Sequence, residues 1–94
     1  MFDWNKDKND SLKRERNISF EKITTIIRRE ILDIIANPST NHPQQKCFII
    51  DVDGYAWVVP YVLEGNIVFL KTAFPSRKYQ KIYLNNKESD NENP

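Results

Sequence analysis

Asp53-Gly54, set between two runs of β-branched and aromatic residues, constrains this chain more than any other feature. A two-residue hairpin loop needs positive φ at both central positions, and Asp-Gly is among the few pairs that accept it cheaply. The runs on either side are Cys47-Phe48-Ile49-Ile50-Asp51-Val52 and Tyr55-Ala56-Trp57-Val58-Val59-Pro60-Tyr61-Val62. Fixing the turn fixes the register: Val52 faces Tyr55, Ile50 faces Trp57 and Phe48 faces Val59, so large apolar side chains share one face, the expected core face. Leu63-Glu64-Gly65-Asn66 makes a second turn into Ile67 to Phe74, giving an antiparallel meander of three strands. Pro60 lacks an N–H and predicts a strand distorted or unpaired near its end. Pro75-Ser76-Arg77-Lys78 closes the third strand, and Tyr79 to Leu84 suits a short terminal turn of helix.

Upstream, Phe2-Asp3-Trp4 alternates apolar and polar residues, which fits a short edge strand. Asn5 to Arg16 is polar nearly throughout, a helix pinned at its ends by Trp4, Leu12 and Ile18 and solvated between them. Ser19 reads as an N-cap, Glu21 complements the helix dipole, and Phe20, Ile23 and Ile27 form one stripe, predicting a second helix from Phe20 to about Arg29. Ile31 to Ile35 fits either a continued helix or a buried strand, with its β-branched content favouring the strand. Asn37 to Pro43 holds two prolines among turn formers and reads as a loop. The fold class is therefore α+β, two N-terminal helices packed on a three- to four-stranded antiparallel sheet, in one domain over residues 1–84. The opposite sheet face must then be partly polar or covered by a partner.

The 94 residues, 39% hydrophobic and 29% charged, suffice for one small core. Residues 85–94 carry Lys87 against Glu88, Asp90 and Glu92 and are expected to be a disordered acidic tail. That tail holds −2 of a net +1, leaving +3 on the folded part. No run approaches the about 20 apolar residues of a membrane span, and the N-terminus lacks a signal-peptide pattern, so a cytoplasmic protein without membrane contact is expected. Cys47 is the sole cysteine and sits in an apolar run, which excludes an internal disulfide; lone His42 has no ligand pair, and two glycines are too few for a phosphate-cradling loop. Metal, dinucleotide and P-loop chemistry are unexpected, and no cofactor is anticipated.

The cations fall in groups: Lys13, Arg14 and Arg16; Arg28 and Arg29; and Lys71, Arg77, Lys78 and Lys81, the last interleaved with Phe74, Tyr79 and Tyr83. Basic residues among aromatics suit a polyanion that also carries stackable bases.

Phe2-Asp3-Trp4-Asn5, Lys8 four residues after the Trp, and Ile18-Ser19-Phe20-Glu21 together resemble the start of the BrnT family of bacterial type II toxin–antitoxin toxins. Asp53-Gly54-Tyr55, Pro60-Tyr61-Val62, Phe69-Leu70-Lys71-Thr72 and Pro75-Ser76-Arg77-Lys78 are similar to a branch of that family, and the likeness spans residues 2 to about 84. The resemblance implies a RelE-like fold and a metal-independent ribonuclease. Such an enzyme cleaves mRNA by transesterification and is held inactive by a cognate antitoxin protein.

By position, the family's strand-end arginine falls on Arg77, flanked by Ser76 and Lys78, and its Lys-His pair falls on Glu15 and Arg16. Arg77 and Arg16 would hold phosphate, since a guanidinium matches phosphate oxygens and stays charged. Arginine cannot shuttle a proton near neutrality, so His42 is the candidate replacement for the missing histidine, with Glu15 behind it. Lys71, Lys78 and Arg14 would support RNA binding and Tyr79 would stack a base. The family's glycine after the pair is Asn17 here, which tolerates a left-handed backbone. An antitoxin is expected to cover a basic cleft between the first helix and the last strand, since neutralising and blocking that surface is the simplest route to inhibition. The alternative is a non-catalytic RNA- or protein-binding module on the same fold.

Overall fold

A computed structural model describes residues 1–37, 41 and 44–85. The chain runs β1 (Phe2–Trp4), α1 (Lys6–Arg16), α2 (Phe20–Arg29), β2 (Asp33–Ala36), β3 (Lys46–Val52), β4 (Tyr55–Glu64), β5 (Ile67–Leu70), β6 (Phe74–Pro75) and α3 (Arg77–Tyr79). A π-helical turn over Gln80–Leu84 follows without a break. Residues 38–40, which belong to the expected loop, and 86–94, most of the expected tail, lie outside the described residues, as do His42 and Pro43.

The hairpin forms as its turn demands. Asp53 and Gly54 take φ of 53° and 93°, and Val52 opposes Tyr55, Ile50 opposes Trp57 and Phe48 opposes Val59. Asp51 reinforces the turn by accepting the Gly54 amide at 2.7 Å. Of Ile31 to Ile35, the residues from Asp33 on form a strand: β2 pairs antiparallel with β3, Ile35 opposite Cys47.

The sheet is larger than the expected three or four strands, and it is mixed rather than antiparallel. Six strands lie in the order β1-β5-β4-β3-β2, with β6 beside β4. β1 pairs in parallel with β5, Phe2 opposite Val68 and Trp4 opposite Leu70. The expected third strand ends at Leu70 instead of Phe74, and Pro60 explains why. Its carbonyl accepts the Lys71 amide at 2.8 Å, so the edge it turns toward β5 has an acceptor but no donor. The ladder breaks there, residues 71–73 pass the gap with Ala73 fully buried, and Phe74–Pro75 rejoins β4 opposite Val58 and Trp57.

α1 and α2 cover one sheet face. Asn5 caps α1 by accepting the Lys8 amide, and Asn17 ends it at φ 55°, the left-handed turn expected of it. Ser19 caps α2 through the Lys22 amide. Phe20, Ile23, Ile26 and Ile27 then meet Phe48, Ile50, Val59 and Leu70 in the main core, with Trp4 tilted against Phe20 at 5.6 Å. Such side chains contribute about 1.5–3 kcal/mol each on burial.

The helices are also joined by a polar residue that looks unremarkable in the sequence. Asn9, buried in α1, accepts the Phe20 amide at 2.8 Å and donates to Glu21 at 2.8 Å. It thereby satisfies an amide at the start of α2 that its own helix cannot.

The second face is covered by the chain itself. Cys47, Ile49 and Val58 form a small cluster packed by Leu32, Ile35, Tyr79 and Tyr83.

Candidate functional site

Of the basic residues singled out from the sequence, Arg16 reaches the gap between β5 and β6. Arg16, at the last position of α1, donates from its guanidinium to the Ala73 carbonyl, 57 positions away in the chain. Ala73 stands four residues before Arg77, so a single hydrogen bond ties the end of the first helix to the strand segment that leads into Ser76-Arg77-Lys78.

Arg77 opens α3. Ser76 caps this short helix, accepting the Tyr79 amide at 3.3 Å, and its own amide donates to the Ala56 carbonyl at 3.0 Å. Arg77 and Lys78 are exposed. The Lys78 ammonium lies 5.3 Å over the Tyr79 ring, and the Lys71 ammonium lies 5.3 Å over the Phe69 ring. Arg14 is exposed on α1 and its guanidinium contacts the Ser11 hydroxyl at 3.4 Å.

Among the described residues, ion pairing leaves these cations unneutralised. Among the described residues the ion pairs are Lys6 with Asp10 and Lys22 with Asp53, and neither involves Arg14, Arg16, Lys71, Arg77 or Lys78. Cations without carboxylate partners keep their field directed outward, which is what an anionic ligand requires.

Arg16 and Arg77 belong to elements on opposite faces of the sheet. α1 belongs to the layer over the main core, whereas α3 continues into the segment covering Cys47, Ile49 and Val58. Arg16 already uses part of its fork on the Ala73 carbonyl, and Arg77 follows four residues further along the chain.

Tyr79 is half-buried in the second cluster, its ring stacked on Tyr83 at 6.1 Å. Its inner side covers the sheet, leaving the outer side under Lys78. Tyr83 donates its hydroxyl to Asp33 of β2, and this bond, with some burial, pushes its pKa up to about 12. It remains a neutral clamp across the working pH range. His42 lies outside the described residues. Glu15 is exposed on the last turn of α1, beside Arg16 in sequence.

A sizeable cleft lies elsewhere. About 500 Å³ opens between the end of α2 and the hairpin tip, lined by Arg29, Glu30, Asp51, Asp53 and Gly54. None of the residues expected to contact RNA lines it. Among the described residues no group of three or more His, Cys, Asp or Glu side chains is arranged to hold a metal ion, and no helix is long and apolar enough to cross a membrane.

Sequence reasoning missed Gln80. Its side-chain oxygen accepts the Ala56 amide at 2.7 Å, and its nitrogen donates to Gly54 O at 3.3 Å and Asn85 Oδ1 at 3.0 Å. A glutamine in a polar terminal turn carries no sequence signal for that role.

No protein-family model matches the chain, and no curated protein or solved structure is found similar to it.

Proposed function

We propose that the chain is a metal-independent endoribonuclease, a BrnT-like toxin on a RelE-like fold, acting on mRNA and restrained by a cognate antitoxin. The observation that carries this reading is the Arg16 bond to the Ala73 carbonyl, which joins the basic end of α1 to the segment bearing Arg77 and Lys78. On this reading the two ends of the chain contribute to one basic strip, in which Lys71 over Phe69 and Lys78 over Tyr79 would each supply a cation beside a ring.

In the proposed reaction the ribose 2′-oxygen loses its proton and bonds to the adjacent phosphorus. The bond from phosphorus to the 5′-oxygen breaks, and that oxygen takes up a proton. The products are a cyclic 2′,3′-phosphate and a 5′-hydroxyl, with no metal needed for balance. Negative charge grows on the non-bridging oxygens, and Arg77 is the group assigned to it, its N–H donors uncommitted among the described residues. Arg16 orders the strip and offers its remaining donors to the next phosphate. His42 is the proposed proton carrier, with Glu15 as the other group in the sequence neighbourhood of Arg16. An antitoxin with an acidic surface would inhibit by covering the strip.

The test is cleavage of a mixed-sequence RNA by the purified chain beside Arg77→Ala and His42→Ala, each checked by circular dichroism. Arg77→Ala is expected to lower the rate by about 10²–10³-fold, the usual cost of removing one donor to a developing oxyanion. Equal cleavage by Arg77→Ala would overturn the assignment.

A second reading, a binding module without catalysis, is favoured by the commitment of Arg16 to a backbone carbonyl where the family pattern has a histidine. It predicts RNA retention by the wild-type chain with no fragments.

A further inference from the structure

We infer that Gln80 is a positioning residue that fixes Arg77 against the sheet, a reading that rests on the nuclease proposal above for its catalytic consequence. The ladder between β6 and β4 is only two residues long, Pro75 opposite Trp57 and Phe74 opposite Val58. One position further along β4, Ala56 is fully buried and both its polar groups face the edge that β6 has just left. The Ser76 amide takes the Ala56 carbonyl, but no backbone carbonyl of the C-terminal segment reaches the Ala56 amide. Gln80 Oε1 does, at 2.7 Å, while Nε2 of the same side chain donates to Gly54 O. One amide group thus stands in for the next residue of a strand, acceptor and donor in the required order.

The backbone at Gln80 is tied to the same place. Its amide donates to the Ser76 carbonyl at 2.9 Å and also faces the Arg77 carbonyl, closing the turn in which Arg77 sits. α3 is three residues long and buries none of them fully, so its packing comes down to the half-buried Tyr79 ring. The anchors along the segment are the Ser76 cap, the rings of Tyr79 and Tyr83, and Gln80. The Ser76 amide and the Gln80 side chain both reach Ala56 on the β4 backbone, one on each side of Arg77, and Gln80 is the one that does so through its side chain.

The experiment measures amide hydrogen exchange at Ala56 and single-turnover RNA cleavage on the full chain, for wild type, Gln80→Ala, Gln80→Glu and Arg77→Ala. Glutamate keeps the oxygen that accepts from Ala56, so it is the conservative rescue. Gln80→Ala is expected to exchange Ala56 at least tenfold faster and to lose at least tenfold in the maximal cleavage rate, with the RNA concentration at half-maximum little changed. Gln80→Glu is expected to retain Ala56 protection and most of the rate, and Arg77→Ala to lose cleavage with Ala56 still protected. Gln80→Ala that exposes Ala56 yet cleaves like wild type would overturn the inference while leaving the nuclease reading intact. Unchanged Ala56 exchange in Gln80→Ala would overturn it as well. A wild-type chain that leaves RNA whole sinks the nuclease reading, and the exchange measurement then decides by itself whether Gln80 holds the segment.

Discussion

Replacing Asn9 by alanine would strip the Phe20 amide of its acceptor and the Glu21 carboxylate of its principal donor together. A buried amide left without a partner costs about 1–3 kcal/mol, and Asn9→Ala is expected to lose that much in denaturant unfolding. Glu21 supplies a second readout. Its carboxyl is held below the usual carboxylate range, chiefly through the Asn9 bond, with its own backbone amide and the nearby Lys13 charge adding to the effect. A carboxyl lowered in the fold contributes stability above its unfolded value, and that contribution is lost as pH falls through the folded one. In Asn9→Ala the Glu21 titration followed by NMR should move upward, and this part of the acid sensitivity should vanish. An unmoved titration would contradict the assigned bond. At this scale the sequence was legible where the chemistry was local: Ser19 announces its cap, as Asn17 does its left-handed turn. Asn9 and Gln80 act on residues 11 and 24 positions away, and nothing in their own neighbourhood marks them.

Among the elements, the β3–β4 hairpin was readable because its turn residues and its register lie within one stretch of chain. Its dependence on Gly54 is direct. At φ 93° any side chain strains the backbone, although no atom lies within 4 Å of where a Cβ would stand. Gly54→Ala is therefore expected to cost about 1–2 kcal/mol from backbone strain alone, lowering the melting temperature by roughly 4–16 °C for a domain of this size, without altering the core register seen by NMR. An unaffected melting temperature would mean the turn is not held as described. β5 and β6 were harder to read. Ile67 to Phe74 looks like one strand, and only the missing donor of Pro60, on a neighbouring strand, shows where it breaks. The candidate site shares this difficulty: Arg77 stood out through its motif, but the tie between Arg16 and Ala73 spans 57 positions.

Across the whole molecule, two unequal cores share one sheet, and the smaller is closed by the last described segment of the chain. Cys47 reports on that closure. It is 1% exposed, and burial pushes its thiol pKa up. Native protein should react slowly with an aromatic disulfide reagent, and Tyr83→Ala, which removes the clamp to Asp33 and part of the cover, should speed labelling by about tenfold for each 1.4 kcal/mol of local opening. Labelling as slow as in wild type would show that the smaller core is closed by other contacts. The far edge of the sheet has a different history. Among the described residues β1 finds its strand partner in β5, more than sixty residues later, so its backbone pairing is long-range even though the Trp4 ring packs on Phe20 close by in sequence. The hydrogen-bonding edge of β1 therefore stays open until the turn after β4 has delivered Val68 and Leu70, so closing this side of the sheet is a late, non-local event in folding.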